Sequence, residues 1–342
     1  MSEEKEVKKP TTVEIGIPVY KARDTLPALL DSLVAQTDKN FEIMMCADGE
    51  GDLYKDIVRV YTARGLKIRY ISLVENRGPG MVRQCILDNS KADYIIFCDA
   101  DDVCMPRMVE VLHREIVKED YDMFSGSFIK EGPDGNDIIM STTGNVVTWF
   151  HAKIYKEKYL KDHNIAFLPE LRSDEDSYFN LLAWNLTDNK GITGEVLYLW
   201  KNNPNSITRC VPLDEYTIRS ATGYIYGQVV GLLRLLDERK DLTDYAITQI
   251  MLQIYYHYLN AKACNVDMAQ TDELLEILGT HERFKAWITE GANWYDIVQE
   301  VNGGSILNNK IIFYKETFDL WAKRLFKEIA DESGKRVKSS DN

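Results

Sequence analysis

Long apolar runs are missing from this 342-residue chain. No stretch approaches the roughly 20 apolar residues that a membrane-crossing helix needs. Cysteine is sparse and unpatterned. The six, at 46, 85, 98, 104, 210 and 264, make no CxxC spacing, and the expectation is buried free thiols in a reducing compartment. An excess of positive charge is missing too: 41 Lys and Arg stand against 54 Asp and Glu, a net −13. That balance disfavours nucleic acid as a partner, although it leaves room for a local basic groove. Met1–Pro10 is a mixed-charge tail with no apolar region behind it, which is not the form of a signal peptide. There is no internal repeat. A soluble, cytoplasmic protein is expected.

What is present is an alternation. Val13–Pro18, Phe41–Ala47, Lys67–Leu73 and Tyr94–Phe97 read as strands,. Leu26, Leu29, Leu30, Leu33 and Val34 recur at helical spacing after the first strand. Helices are expected over 53–64 and 81–89 after the next two, and over 106–118 after the fourth. Such alternation argues for an α/β fold with a doubly wound, mostly parallel, Rossmann-like sheet. Strands are expected at 121–129 and 137–140 around Gly-Pro-Asp-Gly, a helix with a basic face at 148–160, a helix opened by Ser173-Asp-Glu-Asp-Ser177, and a short strand at 196–200,. Beyond Pro212 there is no proline, and helix-period runs take over at 218–236, 245–263, 273–278, 284–301 and 312–329. The expected organisation is a tail over 1–12, a sheet domain over 13–210, an α-helical C-terminal region over 211–331 and a second tail over 332–342.

One stretch carries the chemistry. Tyr94-Ile-Ile-Phe-Cys-Asp-Ala-Asp-Asp102 runs from a buried strand straight into three carboxylates. Open α/β sheets place ligands at the carboxyl ends of their strands. Carboxylates this close raise one another's pKa. A hard divalent cation shared with a phosphate-bearing substrate relieves that repulsion. The plainer reading is a solvated acidic loop, with Asp102 near the N-cap of the next helix. Asp48-Gly49, at the end of the second strand, is a similar acidic turn or an ordinary Asp-Gly turn.

Taken in order, these segments resemble the family 2 glycosyltransferases, which have the GT-A fold. Ile17-Pro-Val-Tyr20 with Ser32-Leu33 and Gln36-Thr37, Phe41-Glu-Ile43 onward to Asp48-Gly49, Asn76-Arg-Gly78 with Arg83, Asp99-Ala-Asp101-Asp102, Glu175-Asp176 followed by Phe179, and Ser206-Ile-Thr208 carry the resemblance, across 13–209. It implies an inverting, metal-dependent transferase of the DXD type. Asp99 and Asp101 would hold Mn²⁺ or Mg²⁺. Pro18, Tyr20, Asp48, Arg83, Asp99 and Ser206 would bind a nucleotide-sugar, a UDP-sugar first. Asp176, with Glu175, would be the catalytic base that an acceptor hydroxyl requires, and Asp174 is its rival. Asp102 and His151 are secondary or acceptor-side candidates, His151 being equally a structural histidine. Two departures stand out. The family often has two consecutive aspartates where this chain has Ala47-Asp48, and a histidine where it has Asn203.

Other readings were open on the sequence. Nucleotidyl transfer shares the architecture, but no glycine-rich, basic phosphate loop follows the first strand. A non-catalytic nucleotide-sugar-binding scaffold is the third. A glycan is the expected acceptor, with a modified DNA base of phage type also allowed. The helices after 211 could serve acceptor binding or form a homodimer interface.

Overall fold

The computed structural model describes residues 11–132, 136–140, 148–204, 206 and 213–290. Two compact units emerge. One draws on Met1–Glu170 and Thr187–Asn203, the other on Leu171–Leu186 and Pro204–Asn342.

The first unit holds a nine-stranded sheet of order β3-β2-β1-β4-β8-β6-β9-β5, with β7 paired to β6. Its parallel half is β1 (Val13–Val19), β2 (Glu42–Ala47), β3 (Ile68–Ser72) and β4 (Tyr94–Phe97). β1, β2 and β4 are apolar and buried almost throughout, as strands covered on both faces must be, while β3 at the edge is half-buried,. Their crossovers run through α1 (Leu26–Val34), α2 (Lys55–Ala63) and α3 (Pro79–Asn89). Leu26, Leu29, Leu30 and Leu33 of α1 are fully buried. Each such side chain contributes about 2 kcal/mol by leaving water.

The other half is mixed. β5 (Val103–Cys104), β6 (Met123–Lys130), β7 (Ile138–Met140) and β8 (Lys153–Lys156) pair antiparallel to their neighbours, while β9 (Lys190–Trp200) runs parallel to β6. α4 (Met108–Glu119) follows β5, and α5 (Glu157–Asp162) follows β8.

The helix expected over 148–160 is therefore a strand and a short helix. Lys153, Ile154 and Tyr155 are all buried. They fill the slot between β4 and β6, and the Lys153 ammonium donates to the Trp149 carbonyl. A buried lysine with a local carbonyl partner reads as a basic helix face when only the sequence is known. β9 starts at Lys190, not at 196, and β5 is an addition.

The second unit is helical among its described residues. α6 (Glu175–Asn185), α7 (Leu213–Glu238), α8 (Asp244–Ala263), α9 (Ala269–Thr280) and α10 (Glu282–Glu290) compose it. Thr243 caps α8 by accepting from the Ala246 amide at 3.2 Å, a contact of about 1 kcal/mol. Arg283 donates to the carbonyls of Leu236 and Arg239, both at 2.6 Å, and so pins α10 to the end of α7. α6, expected as part of the sheet domain, groups with these helices. The helices expected beyond residue 290 and the tails lie outside the described residues.

Candidate active site

The strand order puts a switch point between β1 and β4. From β1 the chain steps to β2 and β3 on one side, while β4 lies on the other. Crevices for ligands open at the carboxyl ends of strands at such points. The Gly16 carbonyl still accepts from the Cys98 amide at 3.0 Å. Two residues on, Pro18 turns the same edge toward β4 without an N–H to offer. The two strands part there, and the acidic loop fills the opening.

That loop is held from several directions. Tyr198 of β9 receives the Asp99 amide at 3.0 Å and donates its hydroxyl to Asp102 Oδ2 at 2.9 Å. The Lys201 amide donates to Asp102 Oδ1 at 2.8 Å. Asn203 Nδ2 donates to Asp101 Oδ2 at 2.9 Å. The end of β9 thus addresses all three aspartates. On the exit side, Ser32 Oγ accepts from the Cys104 amide at 3.1 Å, and Gln36 bonds both the Met105 carbonyl and the Val109 amide. Two motif residues, one in α1 and one just after it, are therefore loop anchors.

The three carboxylates differ. Asp102 is buried. Burial first, then Asp99 and Asp101, pushes its carboxyl well above the usual range. Asp99 is about one-third exposed and pairs with the buried Arg83 at 2.5 Å. That guanidinium also lies 4.9 Å over the Phe150 ring,. Asp101 is half-buried.

His151 sits in the turn before β8, not on a helix. It stacks on Tyr198 with ring centroids 4.8 Å apart and meets the Phe128 ring edgewise at 4.9 Å. Burial lowers its pKa to about 3, against the pull of Asp99, so it is neutral. Nδ1 is 4.0 Å from Asp102 Oδ2, and Nε2 is buried without a hydrogen-bond partner among the described residues. Asp99, Asp102 and His151 each present one ligand atom within 4.8 Å of the others. Two hard carboxylates and a neutral imidazole fit Mn²⁺, with Mg²⁺ favouring the oxygens alone. Asp101, expected beside Asp99 in the metal set, is outside this trio but on the same loop.

Asp48 is engaged in the fold. Its Oδ1 accepts from the Arg77 amide at 2.7 Å and its Oδ2 from the Gly78 amide at 2.9 Å. It fastens the loop before α3, the loop that precedes Arg83. Gly49 has φ +78°, and a Cβ there would come within 2.6 Å of the Asn76 backbone nitrogen. The Asp-Gly pair is thus required by the approach of two loops as well as by its own turn. Tyr20 is exposed, and the next amide, Lys21, donates to Glu50 Oε2 at 2.8 Å.

Asp174, Glu175, Asp176 and Ser206 belong to the second unit. Asp174 holds a left-handed φ of 58° at the head of α6. Glu175 is buried, while Asp176 is half-buried in the first turn. Asp176 Oδ1 accepts from the Ser177 amide at 2.7 Å. Ser206 is half-buried, and its neighbours 205 and 207–210 lie outside the described residues.

Residues 14–170 match the family model described as glycosyl transferase family 2. That stretch, a little under half of the chain, is similar to the family 2 glycosyltransferases. It is 27% identical over 216 residues to the uncharacterized glycosyltransferase EpsJ of Bacillus subtilis, covering 57% of this chain and 62% of that one. It is 28% identical over 284 residues to a poly(ribitol-phosphate) beta-glucosyltransferase of Bacillus spizizenii, covering 77% of this chain and 43% of that one. The chain thus spans less than two thirds of either relative. Its fold is similar to that of S. aureus TarS 1-349 in complex with UDP-GlcNAc, with a TM-score of 0.64, 18% identity, and coverage of 85% and 89%. Tyr198 and the Lys201 amide were missed because only the pairing of β9 brings them to the acidic loop.

Proposed function

We propose that the chain is an inverting, divalent-metal-dependent glycosyltransferase that moves a sugar from a nucleotide-sugar donor, a UDP-sugar, to an acceptor hydroxyl. The observation that carries this reading is the acidic loop at the β1–β4 switch point, with all three of its aspartates bonded by the end of β9. A loop so restrained is pre-organised for a charged ligand at little entropic cost on binding.

Asp99 and Asp101 would hold the cation, and Asp102 and His151 would support it from beneath. When bound, a divalent ion neutralises the charge that develops on the departing diphosphate. Arg83 holds Asp99 toward the site. Asp48 shapes the loop that, with Pro18 and Tyr20, lines the nucleoside side, and Ser206 belongs to the closing segment. Asp176 takes the proton of the acceptor hydroxyl as that oxygen attacks the anomeric carbon. Attack in one step from the face opposite the diphosphate inverts the configuration. Glu175 is buried beside it in the first turn of α6.

The relative that acts on poly(ribitol-phosphate) and the neighbour bound to UDP-GlcNAc support a glycan-like hydroxyl acceptor and a uridine nucleotide. No described helix is long and apolar enough to cross a membrane. The five described cysteines are all free thiols, which supports a cytoplasmic setting. The test is donor consumption across a nucleotide-sugar panel, followed by NMR, for wild type and Asp176→Asn. Turnover of one donor by wild type alone supports the reading. No turnover of any donor, with or without Mn²⁺, overturns it.

A further inference from the structure

The acids that open α6 have a close neighbour on α7. A Cβ at Gly223 would stand 3.1 Å from Ser173 Oγ, 3.2 Å from the Ser173 carbonyl oxygen and 3.9 Å from Asp174 Oδ2. Four and eight residues on, Gly227 and Gly231 let α7 approach Tyr178 and Leu181 of α6 just as closely. The two helices are therefore tightly registered, and the residue after Gly223 has a fixed place beside the acidic turn.

That residue is Tyr224, only 6% exposed. Its ring stacks on His257 of α8, with centroids 3.8 Å apart and planes 19° apart. Burial pushes the phenol's pKa up, and the nearby Asp174 and Asp176 add to it. Among the described residues, neither the Tyr224 hydroxyl nor a His257 ring nitrogen is one of the enclosed polar atoms left without a partner, and His257 is only half-buried. Burial also lowers the His257 pKa to about 4, so the imidazole is neutral.

Here a phenol, a neutral imidazole that can both donate and accept, and two nearby carboxylates lie within one unit. None of these groups is a cation, so the set is poorly suited to an anion. It is well suited to a neutral ligand bearing several hydroxyls, whose C–H faces can lie against aromatic rings. We propose that Tyr224 and His257 form the acceptor subsite, hydrogen-bonding the hydroxyls of a polyol or saccharide and presenting one of them to Asp176. The proposal rests on Asp176 being the base.

Two variants, Tyr224→Phe and His257→Gln, test it in the full-length chain. Free polyols and methyl glycosides serve as acceptors, with saturation-transfer NMR reading their binding and steady-state kinetics reading transfer. Each lost hydrogen bond is expected to raise the acceptor KM about three- to tenfold, with the donor KM unmoved. Melting curves identify a variant that fails to fold, and the second variant then decides. Binding of no polyol or glycoside by wild type, an unchanged acceptor KM in both variants, or donor and acceptor KM rising together would each overturn the subsite. Failure of the Asp176 reading shows itself separately, as undiminished transfer in Asp176→Asn.

Discussion

Tyr198 and Asp102 lie 96 positions apart in the chain and are joined by a 2.9 Å hydrogen bond in the interior. The same hydroxyl receives the Asp99 amide, so one oxygen fixes both ends of the acidic turn. Tyr198→Phe keeps the ring and removes only that oxygen. It is expected to lower stability by about 1–3 kcal/mol, because buried groups lose their partner. It should also weaken Mn²⁺ binding several-fold. Urea denaturation and Mn²⁺ EPR read the two effects; loss of stability with unchanged Mn²⁺ affinity would reduce Tyr198 to a packing residue.

Asp48 and Gly49 make a second joint. Asp48→Ala removes both acceptors of the Arg77 and Gly78 amides, at a cost of about 1–3 kcal/mol. Gly49→Val adds a side chain at φ +78° against the Asn76 backbone and should cost more than Gly49→Ala. Urea denaturation of the three variants gives the order. Equal stabilities for wild type and Asp48→Ala would contradict the bracing role.

The parallel half of the sheet was legible because each strand is a local apolar run closed by its own loop. Residues such as Ile95 and Ile96 announce burial without knowledge of their neighbours. The mixed half was not, because its strands exist through their partners. Lys153 and Lys156 make β8 look like a solvated helix, yet Lys153 is buried where β4 and β6 meet. The acids of the site were visible as an ordered set of motifs. Their supports were not: Tyr198 looks like one more strand aromatic.

Asp176 is half-buried, like Asp174, and lies in the first helical turn, where its carboxylate accepts from the Ser177 amide. Asp176→Asn keeps the shape and removes the base. The kcat for sugar transfer is expected to fall about 10²- to 10⁴-fold, with donor affinity within twofold of wild type. Single-turnover kinetics with calorimetric donor binding separates the two. A loss in Asp174→Asn with none in Asp176→Asn would move the base two residues earlier.

His257 sets a pH dependence of stability. Its folded pKa is lowered to about 4 by burial, against about 6.5 in an unfolded chain. Below pH 6.5 the unfolded state binds a proton that the folded state refuses, so stability falls as pH drops. The slope approaches about 1.4 kcal/mol per pH unit in the window from 6.5 down to 4. His257→Gln should flatten that slope. Urea midpoints at pH 7, 6 and 5 measure it, and parallel curves for the two proteins would show that the imidazole titrates as it does in water.

Isothermal titration of UDP into the chain, with and without Mn²⁺, for wild type and Asp101→Ala, bears most directly on the metal-dependent donor site. Wild type should bind UDP at least tenfold more tightly with Mn²⁺ present, and Asp101→Ala should lose that gain while keeping its melting behaviour. Binding that ignores both the ion and Asp101 would make the Asp99–Asp102 turn a braced surface loop and contradict a metal-dependent transferase.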